Sequence, residues 1–265
     1  MSGFYIDPSG KVRKTKGGYI GVDGVARKNK KGYIGDANGV ARLCWIAFEA
    51  DPVFANNSWE NIALACQLKE VPDDWSVGDQ KTMTINGSEY VIDIIGKNHD
   101  DYADGSGKAP LTFQLHDCYG NKYSMNSINS NAGGWRECEV RTIHLPSILA
   151  LMPLKVQNAI REVSKRTGLG NNNTKIDVTN DKLFLPSEPE VYGSATYSLL
   201  DEGVQYEYYK NFANMKKSYN GSTSSWQLRS PHKWNSQTFS ISGLDFYVGT
   251  QYGDSTVAMS FAFCF

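Results

Sequence analysis

The sequence predicts an α+β body behind a small β-hairpin module, and three observations carry that prediction. A near-repeat opens the chain: Phe4 to Lys14, Gly18 to Lys28 and Gly32 to Leu43 share a pattern of short strand, turn and short strand, with Tyr5, Tyr19 and Tyr33 spaced by 14 residues. An alternating stretch broken by Asn86-Gly87 then reads as a hairpin, because Asn and Gly accept the positive φ angles of a tight turn. Helix signals sit between further short strands, among them the capping box Ser187-Glu188-Pro189-Glu190. The predicted division is residues 1–45 for the repeat module and 46–265 for the body.

In the repeats, Asp23-Gly24 and Asn38-Gly39 mark the turns. One such unit is too small to bury an apolar face alone, so units stacked together or against another subunit are expected. Lys and Arg dominate here. Residues 1–43 hold nine of them against Asp7, Asp23 and Asp36, which leaves +6 on this segment and −7 on the rest of a chain whose net charge is −1. A basic arm on an acidic body suits an acidic partner subunit, whereas solvation of strand edges by Lys is the plainer reading. No motif with base-reading geometry accompanies the charge, so nucleic acid is not an expected partner.

The body follows in order. Asn57 and Glu60 bracket a helix start, with Ile62, Leu64 and Ala65 as its apolar side. Lys81–Ile85 and Ser88–Ile95 flank the Asn-Gly turn, and Leu111–Leu115 is a third strand. Short helices are expected at 135–141 and 146–151, and a longer one at 153–166, where Leu154, Val156, Ile160 and Val163 share a face and Gly168 can end it. Gly170–Asn173 is a loop, 182–185 a strand, and 205–217 a helix. Strands then follow at 226–228, 238–241, 245–248 and 257–265, the last apolar enough to be tied into the core sheet.

Composition narrows the class. A hydrophobic fraction of 40% supports a sizeable core, and no run approaches the roughly 20 apolar residues of a spanning helix. The opening residues lack a charged-then-apolar leader, so export by the general secretory route is not expected. Five cysteines without CxxC spacing predict reduced, buried thiols rather than a zinc site or a disulfide framework.

Trp226-Gln227-Leu228-Arg229-Ser230-Pro231 and the ending Phe261-Ala262-Phe263-Cys264-Phe265 resemble a bacterial and prophage domain family of unknown function whose members carry a WxLRSP…AFC-type signature. The resemblance spans roughly residues 57–265 and includes Asp104-Gly105-Ser106-Gly107-Lys108, Gly133-Gly134-Trp135 and Gln205-Tyr206-Glu207-Tyr208-Tyr209. Gln227 stands where a second Trp is usual, and Ser260 where some members carry Arg. The opening repeats resemble leader segments of tail-associated proteins of phages infecting Gram-positive bacteria. The family is similar to C-type-lectin-like folds, which implies a binding platform. The implied setting is a virion protein, made in the host cytoplasm, that adheres to a host-surface receptor, either a glycan (carbohydrate binding) or a protein. Residues 1–45 would then contact other virion or tail subunits, in a homo-oligomer without membrane insertion.

The expected ligand-binding surface is Trp234, Asn235, Tyr247, Gln251, Tyr252 and Asp254, where aromatic faces mix with hydrogen-bonding groups. Arg229 is a further candidate contact, although the favoured reading is an arginine tying loop carbonyls or a carboxylate together. No cofactor and no catalytic residue are expected. The competing enzyme reading takes two forms. One is a metal-assisted hydrolase using Asp100, Asp101 and Asp104, although a helix-loop-helix calcium loop fails at Tyr102 and Leu111. The other is an oxygen-using relative of formylglycine-generating enzymes, where only Cys264 lies near the signature. A purely structural virion component is the third reading. Gly105-Ser106-Gly107-Lys108 lacks the earlier glycine and the following Ser/Thr of a phosphate loop.

Overall fold

The structure is a computed structural model that describes residues 49–265 in full and, before them, the backbone of six short strands. Those strands pair antiparallel in three couples: Gly3–Ile6 with Val12–Thr15, Tyr19–Val22 with Val25–Lys28, and Lys31–Gly35 with Ala41–Ile46. The Asp23-Gly24 and Asn38-Gly39 turns, the tyrosine side chains of the repeats and the Cys44 side chain lie outside the described residues.

The body mixes helix and strand, as an α+β class requires. Its main sheet has five antiparallel strands in the order Leu183–Phe184, Ala262–Cys264, Leu111–Leu115, Ser88–Lys97, Gln80–Ile85. Asn86 and Gly87 make the hairpin turn at φ 48° and 78°, the left-handed pair that the twist of two strands favours. Leu111–Leu115 and Ala262–Cys264 are buried along their whole length. The residue nearest the chain's last number is therefore not a loose end: the Tyr102 hydroxyl donates to the Phe265 carbonyl at 2.9 Å.

Around Phe113 the aromatic side chains form one cluster. Phe263 and Phe265 each lie with ring centres 5.2 Å from it, Trp59 at 5.6 Å, and Phe54 at 6.2 Å. Trp59 opens the helix Trp59–Leu68, and Ser58 rather than Asn57 caps it, accepting from the Asn61 amide at 3.1 Å. Asn57 instead turns inward and ties the carbonyls of Asp51 and Val53, each at 3.0 Å.

Four expected elements differ. The strand expected over 257–265 is confined to Ala262–Cys264, with only isolated bridges before it at Val257 and Ala258. The helix from Pro153 stops at Ala159, and Val163–Gly170 is a strand paired with Asn173–Asp181. Val163, Lys165 and Thr167 alternate inward, so the strand's period of two is hidden behind a buried lysine. Residues 207–210 and 212–215 form two 3₁₀ turns instead of one α-helix. Tyr206, Tyr208 and Tyr209 all point inward, and that spacing does not fit one face of an α-helix. Residues 243–247 form the hairpin loop between Thr238–Ser242 and Val248–Tyr252, so the expected strand at 245–248 lies later. The helix at Glu188–Tyr192 has the expected capping box, with both Ser187 and Glu190 engaged.

Candidate functional site

Trp226–Pro231, Thr238–Ser242 and Val248–Tyr252 form a three-stranded sheet whose outer strand ends in the predicted surface residues. Trp234 is 72% exposed, Tyr247 75% and Tyr252 52%, while Trp75, Trp135 and Trp226 are fully buried. Tyr252 pairs across from Thr238, and the Gly253 amide donates to the Gln237 carbonyl at 2.7 Å. This brings Trp234, Asn235, Gln251, Tyr252 and Asp254 to one end of the hairpin. Tyr247 lies at the other end, about 15 Å along the strand, beside exposed Leu244 and Phe246. The predicted surface is thus two patches.

The Trp234 loop is fastened from below. Asn131 is fully buried, and its Nδ2 donates to the carbonyls of Asn235 at 2.7 Å, Thr238 at 2.8 Å and His232 at 3.3 Å. Its Oδ1 accepts from the Asn171 amide at 2.7 Å, which links the loop to the turn of the Val163–Asp181 hairpin. Close contact explains a glycine there: a Cβ on Gly170, at φ 70°, would sit 1.8 Å from the Asn131 carbonyl. On the outer side, the Lys233 ammonium lies 4.5 Å from the Trp234 ring centre, and the Trp234 amide donates to His232 Nδ1 at 3.0 Å. Asn235 Oδ1 accepts from the Gln237 amide at 2.8 Å, so this carboxamide shapes its own turn.

Arg229 leaves the surface set. It is fully buried, with Nη1 2.5 Å from Glu190 Oε2 and Nη2 2.9 Å from Glu190 Oε1, a bidentate pair. Its remaining donors reach the carbonyls of Leu185, Glu202 and Arg166 and the Thr167 hydroxyl. Gln227 and Ser260, the two departures from the family pattern, are interior as well: Gln227 Nε2 donates to the Tyr123 carbonyl at 2.7 Å, and Ser260 Oγ to the Leu115 carbonyl at 2.7 Å.

Glu190 extends the arginine pair into a chain of charges. Lys165 Nζ sits 2.7 Å from Glu190 Oε1 and 2.6 Å from Asp100 Oδ1, and all four groups are buried. Tyr206 donates to Asp100 at 2.9 Å, and Thr112 Oγ1 to Asp100 Oδ2 at 2.6 Å. Burial alone would raise the Asp100 and Glu190 carboxyls; Lys165 beside the first and Arg229 with Lys165 beside the second hold both below the ordinary range. Glu202 shares the region, and among the described residues no ammonium or guanidinium donates to its carboxylate. It accepts from the Ser230 hydroxyl and, at 3.0 Å, from the Gly168 amide, and burial pushes it up to about 7. A cavity of about 340 Å3 opens above, lined by His99, Lys165, Glu190 and Glu202 among others.

The three predicted metal aspartates do not converge. Asp100 faces Lys165 inside; Asp101 pairs with Lys108 at 3.0 Å and Asp104 with Arg161 at 2.6 Å outside. Adjacent residues of an extended segment alternate sides, and each carboxylate finds its own cation. Among the described residues no group of three His, Cys, Asp or Glu side chains could hold a metal ion. Cys264 is buried, its thiol pushed well up by burial, with Thr112 and Asp100 as polar neighbours. Cys66, Cys118 and Cys138 are also free and buried.

Sequence reasoning missed one further pairing. His116 Nδ1 lies 2.9 Å from Asp93 Oδ2, and Asp93 also accepts from Tyr208 at 2.7 Å and Gln80 at 2.8 Å. The Asp93 hydrogen bond raises the His116 imidazole. Asp93 lies on the Ser88–Lys97 strand and His116 directly follows its neighbour Leu111–Leu115, a proximity that only the register reveals.

A family model described as a domain of unknown function, DUF6273, matches residues 109–264. No curated protein and no solved structure matches the chain.

Proposed function

The chain belongs to the DUF6273 family, and from that premise we propose that it is a non-enzymatic recognition protein, with a C-type-lectin-like body that presents fixed aromatic loops to a glycan on a host surface. The observation that carries this reading is Trp234: 72% exposed, on a loop whose backbone is held from beneath by fully buried Asn131. An exposed indole loses little entropy on contact when its backbone is already fixed, and its flat face suits the apolar face of a sugar ring. Gln237 and Tyr252 share the same end of the hairpin and offer hydrogen-bonding groups there.

The setting we propose is a phage or prophage tail. The basic repeat segment, residues 1–45, attaches the protein to other virion subunits or to sister copies, and the body faces outward. This assignment rests on the repeat pattern and the charge asymmetry between segment and body. The test is a glycan array probed with the full chain and with a Trp234→Ala, Tyr252→Ala variant. Binding of a defined set of glycans that falls at least about tenfold in the variant supports the reading. Retained binding in the variant, or no glycan bound by the wild-type chain, overturns it.

A further inference from the structure

A second cavity, of about 280 Å3, lies between the end of the Trp59–Leu68 helix and the loop that precedes the Leu111–Leu115 strand. Its lining is Lys69, Val71, Asp73, Lys97, Asn98, Lys108 and Pro110. Three of those seven side chains are lysines, from three separate elements, and only one carries a carboxylate.

We propose that this cavity binds the phosphate group of a small phosphorylated molecule. Lys69 is the C-cap of its helix, held in the left-handed region at φ 55° and ψ 38°, a position where glycine is least strained. Its ammonium lies 3.9 Å from where a Cβ on Gly107 would be, and Gly107 precedes Lys108. Among the described residues, the Lys69 ammonium has no ion-pair or hydrogen-bond partner. The Lys108 ammonium is held by the His99 carbonyl and Asp101 Oδ1, each at 3.0 Å, and Lys97 Nζ by the Trp75 carbonyl at 2.6 Å. Two of the three cations are therefore positioned by bonds of their own, and Asp73 in the lining and Asp101 beside Lys108 set two carboxylates against three lysines. The excess positive charge, centred on Lys69, creates a potential that an oxyanion neutralises.

Size selects the form of the ligand. Each water occupies about 30 Å3 of liquid, so the cavity exceeds what a free phosphate fills. Its volume sits at the low end of small-molecule pockets. A phosphate ester of a small polyol fits both limits. The site does not depend on the Trp234 loop, and its loss leaves the glycan reading standing.

Titration calorimetry on the full chain with inorganic phosphate, glucose 6-phosphate and glucose provides the test. Glucose 6-phosphate is expected to bind, and glucose not. Weaker binding of inorganic phosphate also supports the site and tells the ester from the free ion as its source, whereas equal or tighter binding of inorganic phosphate overturns the ester. Lys69→Gln with Lys108→Gln should weaken binding about tenfold or more, Asp73→Asn should tighten it about threefold, and Lys175→Gln on the far hairpin should leave it unchanged. The opposite signs at Lys69 and Asp73 are a result that a merely structural role does not give. No heat with either phosphate, or equal binding by the Lys69→Gln, Lys108→Gln variant and the wild type, overturns the proposal.

Discussion

The interior around Glu190 and the rim around Trp234 use opposite chemistry for one purpose. Inside, Asp100, Lys165, Glu190 and Arg229 are charged and fully partnered. Outside, Trp234, Tyr247 and Tyr252 are largely apolar and largely free. The buried charges tie the Val163–Gly170 strand, the Glu188–Tyr192 helix and the Trp226–Pro231 strand to one another, and each partner satisfies the others. The rim inherits that fixed geometry. An aromatic side chain left in water needs a rigid base beneath it if it is to bind without a large ordering cost. The comparison teaches that the WxLRSP-type segment is a brace, and that the exposed aromatic rim stands next to it.

Removing the brace should have the largest effect. Arg229→Met leaves Glu190 with half its counter-charge in a dry interior, and a loss of about 3–5 kcal/mol in folding stability is expected by urea denaturation. A loss under about 1 kcal/mol would mean that the charged chain holds nothing together.

A pH series sharpens the same point. Glu202 titrates near 7 in the folded protein against an ordinary 4.5. The unfolded chain gives up this proton first. Its contribution is therefore complete below about pH 4.5, falls as pH rises toward 7, and is flat beyond, a change of about 3 kcal/mol. Glu202→Gln should remove that slope, so denaturation of wild type and variant at about pH 5 and about pH 7.5 should show the difference. Lys217 acts with the opposite sign: burial lowers it to about 8, so its share of stability increases as pH rises from about 8 toward its ordinary 10.5.

Between brace and rim stands Asn131. Asn131→Ala strips three carbonyls of their donor and should cost about 1–3 kcal/mol. Hydrogen exchange should then quicken at residues 171 and 232–238 while the five-stranded sheet stays protected. The smallest stability effect is expected at Trp234→Ala, within about 0.5 kcal/mol, combined with the loss of glycan binding. A large fall in melting temperature for this variant would place the indole in the brace and break the comparison.

Much of the sheet was readable from residues. Asn86-Gly87 forms its turn through local φ preferences, Ser187 and Glu190 close their capping box through local bonds, and the Phe-rich ending is interior because it is apolar. The misread segments share one cause. At 163–170 and 205–217 the inward side chains include Lys165, Thr167, Tyr206, Tyr208 and Tyr209, and their partners are Glu190, Arg229, Asp100, Asp93 and Gln114, distant in the chain. A polar residue with a distant partner looks like a surface residue in sequence. The same blindness set Asp100 beside Asp101 and Asp104, whereas the favoured reading of Arg229 as a structural tie agrees with its pair to Glu190. Trp234 and Tyr252 are exposed as expected, because aromatics in a polar loop need no distant partner.

The pairing of Ala262–Cys264 between Leu111–Leu115 and Leu183–Phe184 sets an order of events during synthesis. Joining Phe263 to Phe113 closes a loop of about 150 residues, among the costlier closures a domain this size can require. Until that segment has left the ribosome, the sheet's two halves have an empty slot between them. The nascent body must wait in pieces, and its slowest folding step is expected to be the insertion of this strand.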